Sequence, residues 1–261
     1  MKTKKIPFLS VPFVLSVVSS CAVLPSVHAA EPVRTEWKQT ASVAAKEAAQ
    51  AAAADEKFFY AIANKVVAKY DRETGRRVAT STGEALHLNS GFLHEGRLYC
   101  AHSNYPLKPE VSEIKVLDPV SMRLTKFKDF GNFGGSLTWC LRHEGHWWCN
   151  FAHYGTDNGQ TFLVKFDAQW KEMARWTYPA AVIGQLKTYS LSGGIWRDGS
   201  LLVTGHDDPL VFVLRLPKVG SVLEFVETQR VPFTGQGIAA DPKTGGLVGI
   251  NRAKKQVVFA R

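Results

Sequence analysis

The sequence predicts an all-β fold, a five-bladed β-propeller, and three observations support this prediction. One β-meander pattern recurs at intervals of roughly 40–50 residues, the spacing typical of propeller blades. Each copy turns at a glycine or an equivalent residue and then runs into an apolar strand that ends in Asn or His. The last copy lacks a fourth strand, whereas a strand-like segment without a partner precedes the first copy. The copies end at Asn64, His102, His153, His206 and Asn251.

Each copy is expected to supply an inner strand, a second strand, a third strand and an outer strand. A two-residue turn such as Glu144-Gly145 joins the first two strands as a tight hairpin. Asp71, Asp118 and Asp167 mark the turn from the third strand to the fourth. An aspartate at such a position accepts hydrogen bonds from the backbone of its own turn. We therefore expect these three aspartates to be structural.

The alanine-rich stretch before the first copy has two competing interpretations. Alanine is the best helix former, so its composition alone favours a helix. Residues 49–55, however, align with residues 235–241, and an apolar strand ending in Asn follows both segments. Small residues also suit the crowded inner strand of a propeller. We expect an inner strand over 49–54 and any helical turn within about 41–48.

Ring closure explains the two incomplete ends of the repeat. The last copy supplies strands near 236–240, 246–251 and 256–260 and has no fourth strand before Arg261. The alternating segment 33–39 is expected to fill that position, which would protect the open edge of the sheet.

The first 29 residues match an export signal. Lysines at positions 2, 4 and 5 precede an apolar stretch over 6–18, and Val27-His28-Ala29 forms a small-residue cleavage site. We expect a signal peptide over 1–29, one propeller domain over 30–261, and a periplasmic or secreted protein. As an alternative, Val18-Ser19-Ser20-Cys21 resembles a lipobox, which would place a lipid on Cys21.

Charge and hydropathy narrow the range of partners. The formal net charge is +9, a modest excess that favours anionic ligands or surfaces. The pairs Arg76-Arg77 and Lys254-Lys255 fall in predicted turns and form no basic stripe with exposed aromatic residues, so we expect no nucleic-acid binding. No apolar run after the leader reaches the roughly 20 residues of a membrane-spanning helix. We expect a monomer.

Three cysteines follow the leader. The two-residue turn at Glu144-Gly145 places Cys140 opposite Cys149, close to the distance that a disulfide requires. A Cys140–Cys149 disulfide is therefore expected in an oxidising compartment. The alternative is a set of small buried thiols, with Cys100 unpaired in both cases.

The upper rim, defined here as the face on which the inner strands begin, is the predicted functional site. Inner-strand residues and the loops after the second strands both bring polar side chains there, and convergent polar groups in a concavity are typical of a ligand site. The ligand-binding candidates are Gln50, His87, Asn89, Asn104, Tyr105, Ser192, Asp207, Gln236 and Arg252.

His102, His153 and His206 are the catalytic candidates. Imidazole transfers protons near neutral pH and is also a common ligand of transition metals. Three interpretations stay open for these residues: acid–base or anion-binding roles, a bound divalent metal, and structural hydrogen bonds between blades. The cofactor is therefore unknown.

Residues 50–261 resemble a family of exported bacterial propellers of uncharacterised activity whose members are often labelled cycloisomerases. The resemblance is carried by Leu88-Asn-Ser-Gly91, Ala101-His-Ser-Asn-Tyr105, Gly145-His-Trp-Trp148, Ser192-Gly-Gly194, Thr204-Gly-His-Asp207 and Gly235-Gln-Gly-Ile238. It implies lactonising or ring-closing lyase chemistry.

The layout is also similar to that of the five-bladed plant-type glutaminyl cyclotransferases. Their inner strands open with Phe-Thr-Gln-Gly-Leu, and this chain has Phe233-Thr-Gly-Gln-Gly-Ile238. That family is expected to carry an inner-strand Glu-Gly step for proton transfer. Here Asn89-Ser-Gly91 and Ser192-Gly-Gly194 stand at comparable places.

Two function classes remain. The first is a lyase or intramolecular cyclase that binds a small polar or anionic molecule in a central pocket. The alternative is a non-enzymatic propeller that binds carbohydrate or a protein partner. The residue that ends each copy differs along the chain: Asn, His, His, His and Asn. This variation favours one central site over five equivalent ones.

Overall fold

The computed structural model describes residues 33–261, and these form an all-β, propeller-like fold. The predictions of a signal peptide over 1–29 and of lipidation at Cys21 lie outside the described residues. Within residues 33–261 no helix has the length and apolar character needed to cross a membrane. The helical elements are the single turn α1 (Ala180–Ile183) and a 3-10 helix (Gly155–Gln160).

Twenty-one strands build the described chain, and consecutive strands pair as antiparallel meanders. In chain order they are β1 (Val33–Glu36), β2 (Gln39–Ala44), β3 (Ala51–Ala54), β4 (Phe58–Ala63), β5 (Val66–Asp71), β6 (Arg77–Thr80), β7 (His87–His94), β8 (Arg97–Ser103), β9 (Ser112–Asp118), β10 (Arg123–Gly131), β11 (Ser136–His143), β12 (His146–Ala152), β13 (Phe162–Phe166), β14 (Glu172–Thr177), β15 (Gly193–Arg197), β16 (Ser200–Thr204), β17 (Leu210–Arg215), β18 (Glu224–Arg230), β19 (Thr234–Asp241), β20 (Gly246–Asn251) and β21 (Gln256–Ala260).

The strands of the described chain form consecutive antiparallel meanders. Strands β3–β6, β7–β10, β11–β14 and β15–β18 form four-stranded meanders, and β19–β21 form a further one with β2 as its outermost strand. One parallel bridge, between Gly237 and Ala51, connects this last meander to the first. The first strands β3, β7, β11, β15 and β19 contact one another in cyclic order, so each sheet packs beside the next around a common centre.

The predicted closing segment is displaced along the chain. Of the segment 33–39 only the end joins the last sheet: β2 begins at Gln39 and pairs with β21, with Ala44 opposite Gln256. Strand β1 pairs in parallel with β18, the outer strand of the preceding meander. The chain therefore pairs first, through β1, with the outer strand of the fourth meander and then, through β2, with the last meander. The alanine-rich composition hid this strand, because any helical turn was expected within about 41–48.

The first inner strand is confirmed. All four alanines of β3 are buried, and residues 46–49 form a turn rather than a helix. Packing at the centre of the molecule therefore outweighs the helix propensity of alanine.

Two-residue hairpins occur where the turn glycines predict them. Glu144 and Gly145 have φ angles of 50° and 76°, and the Glu95-Gly96 and Asp198-Gly199 turns are alike. Positive φ at both central residues defines the turn type whose twist matches that of the flanking strands. The structural role expected for the aspartates also holds; Asp71 Oδ1, for example, accepts the backbone N–H groups of residues 73 and 74.

Apolar side chains fill the space between neighbouring sheets. Trp139 of β11 is buried against Leu201 and Val203 of β16 in one such layer. Gly194 makes this packing possible, because a Cβ at position 194 would lie 2.7 Å from the Trp139 indole.

The cysteine hairpin has the predicted register, with Cys140 directly opposite Cys149. Both side chains are buried in the layer between the second and third meanders, and Cys100 is buried as well. All three are free thiols in the structure, so the expected disulfide is not formed here. Burial in an apolar layer stabilises the protonated thiols, since it raises the pKa of Cys140 and Cys149 well above 9.0.

Candidate functional site

A cavity of about 140 Å³ lies where the first strands of the meanders begin, and we call it the central cavity. Each meander places at least one polar side chain in it. It is lined by Gln50, His87, Asn89, Tyr105, Thr138, Tyr154, Tyr189, Ser192, His206, Gln236 and Arg252. Segments almost 190 residues apart in the chain, such as Gln50 and Gln236, therefore meet in one place.

Primary amides form one part of the wall. The Gln50 side chain donates to Asn64 Oδ1 at 2.6 Å, and the Gln236 side chain donates to the backbone oxygen of His206 at 2.7 Å. Asn89 donates to the backbone oxygen of Leu137 at 2.8 Å. Because their N–H groups are held by the protein, these amides leave their carbonyl oxygens for a ligand that donates hydrogen bonds.

His206 orients the only arginine of the lining. Arg252 Nη1 lies 3.3 Å from His206 Nε2, and a guanidinium can only donate, so Nε2 accepts. Asp207 Oδ2 lies 2.9 Å from Nδ1, although this contact does not meet hydrogen-bond geometry. The ring also stacks on Tyr189, with centroids 4.0 Å apart and planes 6° apart. Arg252 is thereby directed at the cavity.

His87 is the imidazole of the lining whose environment favours the neutral form. Burial lowers its pKa below the usual 6.5, and the neighbouring His102 and Arg252 lower it further. Its ring packs against Tyr105, with centroids 5.3 Å apart. A neutral imidazole at the start of an inner strand can accept a proton from a bound molecule.

The lining has one formal charge. Arg252 is cationic, and among the lining residues there is no Asp or Glu. Burial, with Tyr105 nearby, raises the pKa of the Tyr154 hydroxyl, which therefore stays a neutral hydrogen-bond donor. The electrostatics favour an anionic ligand.

His102 lies outside the central cavity, although it was a catalytic candidate. Strand β8 continues through Ser103, so the alternation of side chains turns His102 towards Glu113 and Lys115 on β9. His102 Nε2 accepts the backbone N–H of Leu86 at 2.8 Å, which leaves no free lone pair for a substrate proton. The residue is a structural acceptor that holds the segment entering β7, next to His87.

A buried ion cluster surrounds that histidine. Glu113 Oε1 lies 3.0 Å from His102 Nδ1 and 2.8 Å from Lys115 Nζ. Burial would raise the pKa of Glu113, but the contacts with His102 and Lys115 lower it to about 2. The carboxylate therefore stays ionised and keeps the His102 ring in place.

Three further candidates do not line the central cavity. His153 follows β12, and its backbone N–H donates to Thr161 Oγ1 at 3.0 Å. Asn104 uses its side chain within its own loop, accepting from Val111 N–H and donating to Pro109 O. Asp207 reaches the site only through its contact with His206.

Three lining residues were not among the sequence candidates: Thr138, Tyr154 and Tyr189. The first two occupy rim positions that the repeat identifies, at an inner strand and after a second strand. Tyr189 lies in the long connection between β14 and β15, where no repeat signal exists.

The lining does not fit a divalent metal. Its metal-binding side chains are the two imidazoles of His87 and His206, and Nε2 of His206 faces the Arg252 cation. Across residues 33–261 there is no group of three or more His, Cys, Asp or Glu side chains placed to hold a metal ion.

Comparison with known proteins supports the fold. No family model and no curated protein matches the sequence. The structure is similar to that of glutaminyl cyclase from Myxococcus xanthus, with a TM-score of 0.61 and 11% identity over 88% of this chain and 98% of that chain. A chain of a mitotic checkpoint complex gives a TM-score of 0.44 at 13% identity, over 79% of this chain and 74% of that one. The first likeness shows a shared propeller-like fold.

Proposed function

We propose that this chain is an exported five-bladed propeller, with a single domain over 30–261, whose central cavity binds one small anionic molecule. The observation that carries the proposal is the convergence of one guanidinium, two imidazoles and three amides in a lining without a carboxylate. Arg252 would bind the anionic group of the ligand, and the amide oxygens would accept its N–H or O–H groups.

The cavity volume limits the ligand. At about 140 Å³ it is close to the roughly 150 Å³ of an engineered cavity that holds benzene. A molecule about the size of one six-membered ring would fill it. Oligosaccharides are too large to be enclosed.

Ring closure or elimination within such a molecule is the chemistry we assign to the site. His87 would accept the proton of an N–H or O–H group as that atom bonds to a carbonyl carbon of the same molecule. The protonated imidazole would then return the proton to the leaving group as its bond to carbon breaks. A positioned general base contributes a factor of about 10²–10⁴ to such a rate. The likeness to a protein named glutaminyl cyclase supports intramolecular cyclisation over other reactions.

The role of His206 would differ from that of His87. The Nε2 atom of His206 already accepts a hydrogen bond from Arg252. His206 would therefore position the anion-binding guanidinium rather than take a proton from the substrate. Of the three histidines first considered catalytic, only His206 therefore keeps a role at the central cavity, and His87 takes the place of the proton acceptor.

The test begins with a thermal-shift screen of small carboxylates, amino-acid amides and lactones, followed by calorimetry on each hit. His153→Gln is the matched control, because His153 is a histidine of the same rim that does not line the cavity. We expect Arg252→Gln to weaken binding by about 10-fold or more, and His153→Gln to leave it unchanged. Hits that bind equally to Arg252→Gln would refute the proposed site.

Turnover is then measured by mass spectrometry of each binding ligand. His87→Gln should abolish product formation while binding persists within about 3-fold. If wild-type protein binds a ligand tightly and converts none, the non-enzymatic alternative holds. The observation that favours that alternative is the lack of a carboxylic acid in the lining, since the cyclotransferases that the layout resembles are expected to use one.

A further inference from the structure

A second cavity, of about 260 Å³, lies at the opposite end of the first strands, and we call it the lower cavity. It is lined by residues at the carboxyl ends of those strands: Ala54, Phe92, Arg142, His143, Trp196 and Ala240 are among them. None of these residues lines the central cavity. A ligand of the lower cavity would therefore be independent of the proposed activity.

The lower cavity has two unlike walls. On one side the His143 ring stacks on the Trp196 indole, with centroids 5.1 Å apart and planes 12° apart. Phe92 extends this wall and is fixed by an edge contact with Trp147. The other side carries the methyl groups of Ala54 and Ala240, from the first and the last meander. A flat apolar ring fits between an aromatic wall and a wall of small side chains.

Arg142 determines which ligand charge the lower cavity favours. It is the one formal charge in the lining, and no Asp or Glu lines the cavity. Its guanidinium lies 5.6 Å from the centroid of the Trp147 ring, and it forms no ion pair within residues 33–261. A half-buried guanidinium without a carboxylate partner is a natural partner for an anionic group.

The volume of the lower cavity limits the size of the aromatic ring system that a ligand can place there. The cavity is nearly twice as large as the roughly 150 Å³ that holds benzene. We propose that the lower cavity is a second ligand site, which binds a bicyclic aromatic carboxylate with its ring between the two walls and its carboxylate on Arg142.

The probe is 2-naphthoate, and Trp196 in the aromatic wall supplies a fluorescence signal besides calorimetry. We expect saturable binding with Kd below about 1 mM. The cationic isostere 2-naphthylmethylammonium should bind at least about 10-fold more weakly, because Arg142 repels it.

Three variants locate the site. Arg142→Gln should weaken naphthoate binding by about 10-fold, and Ala240→Phe should abolish it by filling the cavity; Ala240 is exposed, so the fold should tolerate the larger ring. Arg97→Gln is the matched control, because Arg97 is an exposed arginine that does not line the cavity. It should bind naphthoate as the wild type does.

The outcomes separate this site from the central cavity. Naphthoate binding that survives in Arg252→Gln, and that does not compete with any ligand of the central cavity, supports the lower site. Loss of binding in Arg252→Gln would place naphthoate in the central cavity and overturn the inference. No saturation by 1 mM, or equal binding to Ala240→Phe, would overturn it as well.

Discussion

The ion pair between Arg72 and Asp241 offers a quantitative test of how the first and last meanders are joined. Arg72 Nη1 and Nη2 donate to the two carboxylate oxygens of Asp241 at 2.6 and 3.0 Å. The side chains are 8% and 0% exposed. The pair therefore connects the turn after β5 to the end of β19 in a buried environment.

Replacing Arg72 by Gln should be strongly destabilising. Removing one partner of a buried pair leaves an uncompensated charge and costs about 3–5 kcal/mol of unfolding free energy. At about 2–4 °C per kcal/mol for a domain of this size, the melting temperature should fall by about 6–20 °C. Arg76→Gln, an exposed arginine in the same turn, makes the same change in net charge and should cost about 0.5 kcal/mol or less.

The pH dependence supplies a second readout. Burial alone would raise the pKa of Asp241, but hydrogen bonds from Arg72 and Thr244 hold it below the usual 3.8. A depressed pKa adds stability above the unfolded value, and this stability is lost as the pH falls through the folded value. In Arg72→Gln the carboxyl is buried without its cation, so protonation relieves the penalty. The difference between wild type and variant should therefore shrink from pH 7 to pH 4.

Thermal and denaturant melts at several pH values measure both effects. Asp241→Asn in the Arg72→Gln background should recover part of the loss, since it removes the unpaired charge. A difference below about 1 kcal/mol at pH 7, or one that does not change with pH, would refute the reasoning.

Three further predictions concern other parts of the fold. His102→Leu should cost about 1 kcal/mol in urea melts, because it removes the part-buried hydrogen bond from the Leu86 N–H, whereas His102→Gln retains an acceptor oxygen and should cost less; equal losses would contradict this. Gly194→Ala should lower stability by about 1–3 kcal/mol, because its Cβ would lie 2.7 Å from the Trp139 indole; an unchanged thermal melt would count against that packing. Cys140 and Cys149 should alkylate only when urea unfolds the protein, because burial stabilises their thiol forms; labelling of Cys100 alone in urea would reveal the disulfide expected in an oxidising compartment.

The sequence predicted those parts of the molecule that depend on local pattern. Turn glycines and alternating apolar residues set the hairpin registers, so Cys140 opposite Cys149 followed from Glu144-Gly145 alone. Pseudo-symmetry then placed Gln50 and Gln236 at equivalent strand starts, and both line the central cavity.

Side-chain direction near strand ends could not be predicted in this way. The direction of the His102 side chain depends on whether β8 ends at His102 or continues for one more residue. In the structure β8 continues to Ser103. A register shift between Leu88 and Ser90 alters the alternation on the paired strand. The same uncertainty affects His153, whose strand ends one residue earlier, at Ala152.

Tertiary contacts account for the remaining differences between the sequence-based predictions and the structure. The closing strand β2 lies partly in the stretch where any helical turn was expected, and its pairing with β21 accompanies the extended form. Tyr189 reaches the cavity from an irregular connection, where its stacking on His206 follows from packing rather than from the repeat.

Completion of the last sheet by β2 has a consequence for folding on the ribosome. The paired residues Ala44 and Gln256 are roughly 200 positions apart. Strand β2 therefore stays unpaired with β21 until Gln256 and its neighbours have been synthesised. Such non-local pairing slows folding and leaves sheet edges available for wrong partners in the meantime. We expect nascent chains that end before β21 to stay susceptible to proteases and to be frequent clients of chaperones, with protection gained abruptly once the final strand emerges.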